Sequence, residues 1–496
     1  MIADLPKLLY RADTVRELDR IAIEEMEIPS GELMARAGRA AFTLLTKKWP
    51  RSARVTAVCG RGNNAGDAYV VARLAAETGL RVDVLEVSDV KSVGGDAGRS
   101  RERLLEAGVR PVPIQGATLA EADVIVDGIF GTGLDRPVEG HWRDAIDLVN
   151  DSAAPVLSLD IPSGLHADTG QVMGTAIRAA ACVSFIGLKR GLFTGHGPDL
   201  SGEIHFDDLG VPPTLYQRVK ADACLDSLPA FYGLLGPRRR NAHKGHFGHV
   251  LVVGGDRGFA GAARLAAEAA LRCGAGLVSV ATRDAHANVI NAGRYEIMAR
   301  GVDDAGALQP LCDQAGVLVV GPGLGRGEWG RKMLEGVLRA QKPTVVDADG
   351  LNLLCEYGNV ALPSGSVMTP HPGEAGRLLA TDTATVEADR FAAVAAIAEK
   401  YACACVLKGA GTLTTAPGET THVCAHGNPG MASGGMGDVL SGVIGALVAQ
   451  GVDSLWAARA GVCLHAGAGD EAARPGERGT LASDLMPHLR SLANRL

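Results

Sequence analysis

Residues 427–451, GNPGMASGGMGDVLSGVIGALVAQG, place a run of glycines directly before one acid, Asp438, and then become apolar. The apolar positions recur every three or four residues as far as Gly451, which predicts a buried helix opened by Asp438 and closed by a glycine. The glycines leave backbone N–H groups uncovered at the helix N-terminus, where anions, phosphate above all, are bound. Asp438 is therefore either the N-cap of this helix or a base beside a phosphate that is being transferred.

A second set of polar residues follows strand-like apolar runs in the first half of the chain. They occur in the segments CGRGNNAGDAYV, VDGIFGTGLDRP, LDIPSG and GLKRG. In open parallel sheets the site lies outside the carboxyl ends of the strands. Carboxylate, amide and hydroxyl oxygens at that edge suit a hard cation of low charge beside a polar ligand. The residues are Asn63, Asn64, Asp67, Asp127, Asp160, Ser163 and Lys189.

The first of these segments is also compatible with a dinucleotide-binding fingerprint. Gly60, Gly62 and Ala65 could occupy the three glycine positions, with Glu86 near the ribose position. A fingerprint of this kind explains neither two adjacent asparagines nor the aspartates that end two later strands. Capping of helix ends could account for one or two of these polar residues, but not readily for all of them.

Two series of alternating strands and helices must position these residues. The first series has strand-like runs at 54–60, 81–87, 122–134, 155–164 and 182–191, with a helix over 67–78. The second begins at 248–282 and continues through AGVLVVGPGLG, PTVVDADGLNLL, SVMTPHPGEAGRLL and ACVLKGAGTLTT. This βαβ alternation predicts two α/β domains with parallel sheets. Because paired prolines interrupt it, we predict domains at 1–212 and 228–496 joined by a linker at 213–227.

Composition narrows the class of protein. A chain of 496 residues exceeds one ordinary core and fits two large domains. A net charge of −7 gives no general attraction for nucleic acid or anionic membranes, so we expect neither as a partner. No apolar run suits a signal peptide or a membrane span, and none of the ten cysteines has CxxC spacing, so we expect a cytoplasmic protein with reduced thiols. Apolar surface shared by α/β domains leads us to expect a homo-oligomer.

The first half resembles the NAD(P)H-hydrate epimerase family in GRGNNAGD, DGIFGTGL and DIPSG, over roughly residues 10–210. The resemblance implies a Rossmann-like three-layer parallel sheet in which Asp160 and Lys189 transfer protons between two epimers of a hydrated nicotinamide nucleotide. It implies a potassium ion held by Asn64, Asp127 and Ser163. The residues implied around the nucleotide are Asn63, Asn64, Asp67, Gly131, Thr132, Gly133, Leu134, Asp135, Arg136, Pro137 and Asp160. Ala65 and Ala68 stand where such families usually carry glycines.

The second half resembles the NAD(P)H-hydrate dehydratase branch of the ribokinase superfamily over about residues 228–496. The similar motifs are GPGLG, TPHPGE, KGAGT and NPGMASGGMGD. The resemblance implies a ribokinase-like α/β/α domain that uses ADP or ATP with magnesium, and Asp438 as the base that takes the hydroxyl proton. It places Lys408, Gly409, Ala410, Gly411, Thr412 and Gly437 on the adenine nucleotide, and Ala262, Gly323, His371 and Asp438 on the hydrate. Met436 stands where the family usually has threonine.

Together the resemblances predict a bifunctional metabolite-repair enzyme. Its first domain would epimerise R and S NAD(P)H hydrates, and its second would dehydrate the S epimer. An epimerase that supplies the isomer its neighbour consumes would explain the fusion. The alternative is a ribokinase-like small-molecule kinase fused to a non-catalytic nucleotide-binding domain; a plain dehydrogenase fits less well.

Overall fold

The computed structural model describes residues 5–87, 93–358 and 360–496. The chain forms two compact units, Met1–Leu225 and Asp226–Leu496, and the division falls inside the predicted linker. That segment is nevertheless structured, since it holds a 3₁₀ helix at Pro213–Gln217 and a strand at Ala223–Asp226. The side chain of Leu215 is buried, which ties the segment to the first unit. Among the described residues, no helix combines the length and the apolar character needed to cross a bilayer.

The first unit is built on a parallel sheet of seven strands in the order β4-β3-β2-β5-β6-β7-β9. Its strands are β1 (Leu8–Tyr10), β2 (Arg54–Cys59), β3 (Arg81–Glu86), β4 (Val112–Pro113), β5 (Val124–Gly128), β6 (Val156–Leu159), β7 (Ala181–Phe185), β8 (Leu188–Lys189), β9 (Glu203–Asp207) and β10 (Ala223–Asp226). Its helices are α1 (Ala12–Arg20), α2 (Ser30–Lys48), α3 (Asn63–Glu77), α4 (Gly95–Glu106), α5 (His141–Asn150) and α6 (Gly197–Leu200). The unit also contains a π-helical turn, Ile21–Glu25, and a 3₁₀ helix, Arg190–Phe193.

The strand order of this sheet reverses between β2 and β5. Strands β2, β5, β6 and β7 are buried almost throughout, as expected for a parallel sheet covered by helices on both faces. At the carboxyl end of β2 the chain turns into α3, while β5 ends beside it. A crevice at such a reversal is the usual ligand site of an open α/β sheet. Outside this sheet, β1 pairs with β8 in parallel and with β10 in antiparallel orientation.

Glu86 does not have the role that a dinucleotide fingerprint requires. Its carboxylate is 4% exposed and accepts hydrogen bonds from Tyr69 Oη at 2.8 Å and Arg101 Nε at 2.6 Å. These contacts join β3 to helices α3 and α4. Glu86 is therefore occupied within the fold and is not free to bind a ribose hydroxyl in this structure.

The second unit is also a parallel sheet, extended at one edge by antiparallel strands. The order is β13-β12-β11-β14-β15-β16-β17-β18-β19, and the pairs from β17 onward are antiparallel. The strands are β11 (His249–Val253), β12 (Leu277–Thr282), β13 (Met298–Gly301), β14 (Val317–Val320), β15 (Thr344–Val346), β16 (Val367–Met368), β17 (Ala404–Leu407), β18 (Thr412–Thr415) and β19 (Thr421–Cys424).

Helices cover both faces of this second sheet. They are α7 (Ala260–Arg272), α8 (Asp284–Ile290), α9 (Ala305–Gln314), α10 (Glu328–Arg339), α11 (Ala348–Leu354), α12 (Pro372–Leu379), α13 (Thr383–Ala388), α14 (Arg390–Tyr401), α15 (Met436–Ala449), α16 (Ser454–Ala472) and α17 (Leu485–Ala493). Short 3₁₀ helices lie at Leu228–Phe231, Lys244–Phe247, Cys355–Tyr357, Pro429–Met431 and Ala482–Asp484. Alternate strand residues such as Val250, Val252 and Val319 pack with α7, α15, α16 and α17 in one core. The predicted class, two α/β domains with parallel sheets, is confirmed.

We predict that Glu86→Ala lowers the free energy of unfolding of the first unit by about 3 kcal/mol, because it leaves the Tyr69 hydroxyl and the Arg101 guanidinium without their buried partner. Urea unfolding followed by circular dichroism measures the change. The matched control is Glu77→Ala, since Glu77 is exposed and pairs with Arg73 at the surface, where a change below about 0.5 kcal/mol is expected. Equal effects of the two substitutions would contradict the prediction.

Candidate active sites

A cavity of about 540 Å³ opens at the carboxyl edge of the first sheet, where the strand order reverses. It brings together most of the residues predicted around the nucleotide. Those lining it are Asn63, Asn64, Asp67, Gly131, Thr132, Gly133, Leu134, Asp135, Arg136 and Asp160. Pro137, Asp127, Ser163 and Lys189 are not part of the lining. The last three are fully buried, so they can act on the cavity only through the residues in front of them.

Asp127, at the end of β5, lies at the centre of a buried group of oxygens. Its carboxylate accepts hydrogen bonds from Ser158 Oγ at 2.8 Å and from the backbone N–H and Oγ of Ser163 at 2.9 and 2.5 Å. Burial raises the pKa of Asp127, and these hydrogen bonds offset part of that rise. The carbonyl oxygen of Phe130 accepts from Asn64 Nδ2 at 2.7 Å. Asn64 Oδ1 is buried and has no hydrogen-bond partner among the described residues.

Asp160 follows β6 and adopts a left-handed backbone conformation, with φ of +66°. Such a conformation costs energy for a residue with a side chain, and the surrounding structure must hold it in place. The ammonium group of Lys189 does so from behind: it contacts the Asp160 carboxylate, Ser184 Oγ at 3.2 Å and the carbonyl of Phe185 at 3.1 Å. Asp160 and Lys189 therefore form an ion pair whose carboxylate end faces the cavity.

Asp19, on helix α1, is a cavity residue that the motifs did not predict. Burial, reinforced by the charge of Asp160, raises its pKa to about 6, although Lys189 acts in the opposite direction. Burial also raises the pKa of Asp67 well above its usual value, and Asp160 and Asp19 add to the rise. The signal in the sequence that could have identified Asp19 is its spacing: it follows the buried Val15 by four residues, which places it on the inner side of an amphipathic helix. The cavity thus holds carboxyl groups of unequal proton affinity, which suits proton donation and acceptance within one site.

Ala65 and Ala68 stand in the interior of α3, where both side chains are fully buried. Neither has a positive φ, and neither lines the cavity. Ala68 packs against β5 so closely that a Cβ atom placed on Gly128 would lie 2.5 Å from its own. The structure therefore requires no glycine at these two positions, because the close approach is accommodated by Gly128.

In the second unit, the helix that carries Asp438, α15, begins at Met436, two residues before Asp438. The N-cap of α15 is Gly435, with φ of +93°, and no side chain caps this end. The interpretation of Asp438 as an N-cap is therefore wrong, because Gly435 already occupies that position. Burial and the nearby Asp347 raise the pKa of Asp438 to about 7, while Lys408 lowers it in part. Asp438 can accordingly gain or lose a proton near neutral pH.

Lys408, predicted to contact the adenine nucleotide, is ion-paired in this structure. Its Nζ lies 2.7 Å from Asp347 Oδ1 and 3.7 Å from Glu374 Oε2. Burial alone would lower the Lys408 pKa, but the charges of Asp347 and Glu374 and the hydrogen bond to Asp347 raise it above its usual value. Lys408 is thus a charged group. It lies next to the N-terminus of α15, because a Cβ atom on Gly437 would lie 3.3 Å from its Nζ.

The loop predicted to bind the adenine nucleotide comprises Lys408, Gly409, Ala410, Gly411 and Thr412. It is closed by a hydrogen bond of 2.9 Å from Thr412 Oγ1 to the carbonyl of Gly409. Gly409 has a φ of +136°, and a Cβ atom there would lie 3.0 Å from the guanidinium of Arg390. Arg390 is 2% exposed and donates to the carbonyl of Lys408 at 3.2 Å. Sequence analysis missed this supporting arginine, because it lies in a separate helix, 18 residues before Lys408.

The residues predicted on the hydrate divide into a glycine turn and a helix cap. A Cβ atom on Gly323 would lie 3.1 Å from that of Ala262, so these two residues are neighbours. His371 is the N-cap of α12, where its Nδ1 accepts from the N–H of Gly373 at 3.0 Å. The backbone N–H of His371 donates to Glu374 Oε2 at 2.8 Å. Burial lowers the His371 pKa, so its imidazole is neutral at pH 7. His371 meets the rest of the site through Glu374, which also contacts Lys408.

The Met436 side chain, 6% exposed, packs into the helical core of the second unit. Its backbone forms the first residue of α15, so its N–H remains at the helix N-terminus. A threonine at this position would have offered a hydroxyl group, which methionine lacks. The exposed donors of this helix end are therefore backbone N–H groups.

Comparison with known proteins identifies relatives for both units. Residues 250–490 match the family described as NAD(P)H-hydrate dehydratase, and residues 30–191 match the YjeF-related protein N-terminus. Over 488 residues the chain is 45% identical to the bifunctional NAD(P)H-hydrate repair enzyme Nnr of Coxiella burnetii, covering 98% of this chain and 99% of that protein.

Two solved structures resemble the second unit. A ribokinase-like superfamily protein from Enterococcus faecalis is 28% identical with a TM-score of 0.50, covering 54% of this chain and 94% of that one. An ADP/ATP-dependent NAD(P)H-hydrate dehydratase from Bacillus subtilis, co-crystallised with ATP/Mg²⁺, is 25% identical with a TM-score of 0.47, covering 52% of this chain and 93% of that one.

We predict that Asp438→Asn stabilises the protein at pH 8 by about 2 kcal/mol and has little effect at pH 4. The pKa of Asp438 is about 7 in the folded protein against 3.8 for an ordinary aspartate, so the folded state binds more protons between these values. Wild-type stability therefore falls as pH rises through that window, and asparagine does not titrate. Thermal unfolding measured from pH 4 to pH 8 gives the comparison.

The matched control for this prediction is Asp303→Asn, which replaces an exposed aspartate of the same unit. It should leave the difference from wild type independent of pH. An Asp438→Asn protein that is no more stable than wild type at pH 8 would contradict the burial that the structure assigns to this carboxyl group.

Proposed function

This chain belongs to the family of bifunctional NAD(P)H-hydrate repair enzymes, and we propose that it restores hydrated NADH and NADPH by two successive reactions. The first unit interconverts the R and S epimers of the hydrate. The second dehydrates the S epimer with ADP or ATP. The observation that carries the proposal is the position of the Asp438 carboxyl group. It lies in the first turn of α15, whose N-terminus no side chain caps, and next to Lys408; its pKa is raised to about 7.

In the first unit, we assign proton transfer to the carboxyl groups of the cavity. The ammonium group of Lys189 pairs with the Asp160 carboxylate and fixes its orientation, so we assign Asp160 as the base toward the hydroxyl group on the hydrated ring carbon. Asp67, whose pKa burial raises well above its usual value, is the proposed proton donor. The nucleotide would lie along the loop 131–136, which contributes several glycine and polar residues to the cavity wall.

A potassium ion fits the buried oxygens behind this cavity. Asn64 Oδ1 lacks a partner among the described residues, while Asn64 Nδ2 donates to the carbonyl of Phe130. Ser163 Oγ lies 3.1 Å from the same carbonyl and 2.5 Å from Asp127 Oδ1. Amide, hydroxyl and carbonyl oxygens with a single carboxylate match a monovalent cation better than a transition metal. Asn64, Asp127 and Ser163 would hold the ion, which would supply a fixed positive charge at the carboxyl edge of the sheet.

In the second unit, Asp438 takes the proton of the hydrate hydroxyl as that oxygen receives a phosphoryl group. The uncovered N–H groups of α15 stabilise the charge that develops on the group in transit, and departure of phosphate restores the reduced nicotinamide. The loop from Lys408 to Thr412 binds the adenine nucleotide, and Ala262, Gly323 and His371 contact the hydrate. Magnesium would neutralise phosphate charge; because Asp347 and Glu374 are paired with Lys408, phosphate and water would be its main ligands.

We further propose a cytoplasmic location, since all ten cysteines are free thiols in the structure, as expected in a reducing compartment. Small nucleotide substrates as the binding partners, and a homo-oligomeric state, stay predictions. A kinase that leaves phosphate on its product is the rival function for the second unit, and product analysis distinguishes the two.

The decisive experiment supplies purified protein with both epimers of NADH hydrate, magnesium and potassium, and follows the return of reduced-nicotinamide absorbance after addition of ADP or ATP. We expect conversion of the whole mixture, with phosphate released. Asp160→Asn, corrected for spontaneous epimerisation, should stop rapid conversion after one epimer. If wild type also stops there, the epimerase assignment is wrong; if no absorbance returns and a phosphorylated product accumulates, the kinase alternative holds.

We predict that potassium accelerates epimerisation in wild type and that Asn64→Leu reduces this acceleration at least about 10-fold, because the variant removes the unpaired amide oxygen. Chromatography of the two epimers measures the rate, with sodium as the ionic-strength control. Potassium should also raise the melting temperature of wild type but not of the variant. Dehydration of the pure S epimer is the internal control, since it occurs in the other unit, and a variant that retains the full potassium response would contradict the assignment.

A further inference from the structure

Asp347 is the most deeply buried carboxylate of the second site, with 1% exposure, and it follows strand β15 directly. Its two oxygens have different partners. Oδ1 accepts a hydrogen bond from Lys408 Nζ at 2.7 Å, and Oδ2 accepts one from Ser441 Oγ at 2.6 Å. Asp347 therefore joins the end of β17, where Lys408 begins the nucleotide loop, to helix α15.

The two partners of Asp347 belong to different parts of the proposed site. Lys408 opens the loop assigned to the nucleotide, whereas Ser441 lies one helical turn after Asp438. Ser441 Oγ is also 3.0 Å from the carbonyl of Gly437, at the start of the same helix. A Cβ atom on Gly437 would lie 3.5 Å from Asp347 Oδ2 and 3.3 Å from Lys408 Nζ. The carboxylate, the ammonium group and the helix N-terminus thus converge within a few ångströms.

We propose that Asp347 is a positioning residue for phosphoryl transfer, whose two oxygens hold Lys408 and the first turn of α15 so that Asp438 faces the transferred group. The inference rests on the proposed function of the second unit. Asp347 itself does not touch substrate in this account, because Lys408 and Ser441 occupy both of its oxygens.

The burial of Asp347 explains why this arrangement is rigid. A carboxylate removed from water is costly unless it is paired and hydrogen-bonded. Burial alone would raise the Asp347 pKa, but Lys408 and the hydrogen bond from Ser441 hold it below its usual value. Rotating Lys408 or the first turn of α15 away would leave this charge unsatisfied. The penalty for that loss fixes the geometry before substrate arrives, which is the preorganisation that electrostatic catalysis requires.

The charge of Asp347 also acts on the proton affinity of Asp438. The groups that face Asp438 are Asp347 at the end of β15, Asp349 in α11 and Lys408 after β17. From α16, His465 lies behind the start of α15, where burial lowers its pKa to about 4 and leaves it neutral at pH 7. Of these groups, the two aspartates raise the Asp438 pKa and Lys408 lowers it. Removing Asp347 should therefore lower the pH at which Asp438 becomes a base.

The test compares kcat for ADP-dependent dehydration of the S epimer, from pH 5 to 9, in wild type, Asp347→Asn and Ser441→Ala. We expect Asp347→Asn to lower kcat on the order of 10- to 100-fold, with KM for the hydrate changed less than about 3-fold. Its acid limb should move down by about 1 pH unit. Ser441→Ala removes one tether but keeps the charge, so kcat should fall by several-fold with the acid limb unmoved.

An Asp347→Asn enzyme with unchanged kcat would overturn the proposal. So would a lower kcat whose acid limb stays at the wild-type pH, since a purely structural role predicts that result. Circular dichroism confirms folding of each variant. If Asp347→Asn does not fold, Asp347→Asn combined with Lys408→Gln removes the two paired charges together. Its acid limb should lie below that of Lys408→Gln alone if the proposal holds, and an acid limb that coincides with that of Lys408→Gln alone would overturn the proposal. Failure of wild type to dehydrate the hydrate would instead refute the proposed function.

Discussion

A carboxylate that leaves water must be paired, hydrogen-bonded or protonated, and this constraint organises both sites of the chain. The chain uses all three solutions. Asp127 is satisfied by serine and backbone donors, and Asp347 and Asp160 are each satisfied by a lysine. For Asp438, the favourable effect of Lys408 does not offset burial and the charge of Asp347, so its pKa is raised to about 7. The last case is the useful one for chemistry, because an incompletely satisfied carboxyl group exchanges a proton near neutral pH.

Burying an incompletely satisfied carboxyl group destabilises the folded state, and the packing of the rest of the fold must offset that loss. Both units surround their acids with parallel strands whose buried apolar residues are covered by helices on both faces. Rigid strand ends hold the acids at positions where water cannot fully solvate their charge. In the second unit, α15 adds an uncapped N-terminus to this edge, so positive backbone dipoles and Lys408 face the same place as Asp438. Stability is therefore given up locally at the point where charge must be stabilised during reaction.

The two units use the carboxyl edge of a sheet in different ways. In the first, the strand order reverses between β2 and β5, and the cavity is bounded by α3 and the loop after β5. In the second, the order reverses between β11 and β14, where Gly323 and Ala262 are neighbours, but Asp438, the proposed base, lies on a helix from late in the chain. One chain can thus hold two distinct reactions on the same hydrate. The fusion makes chemical sense because an epimer that the second unit does not use can be converted by the first.

The sequence by itself determined the elements and the local motifs. Periodicity gave the βαβ alternation of both units, and glycine spacing gave the helix that carries Asp438, because both depend on residues a few positions apart. Most of the residues that it predicted around a nucleotide line the first cavity, although they make up fewer than half of that lining. Even so, it did not locate the start of α15, since Gly435 and Asp438 are both acceptable N-caps locally.

Only the tertiary structure decided which charged groups meet. Asp347 and Lys408 are 61 residues apart, and Asp19 reaches the cavity from a helix that precedes every motif. Arg390, in helix α14, donates to the carbonyl of Lys408 and so supports the loop that begins there. No local pattern encodes such pairings, because the energy of a buried charge depends on the partners that packing brings to it and on the water that packing removes.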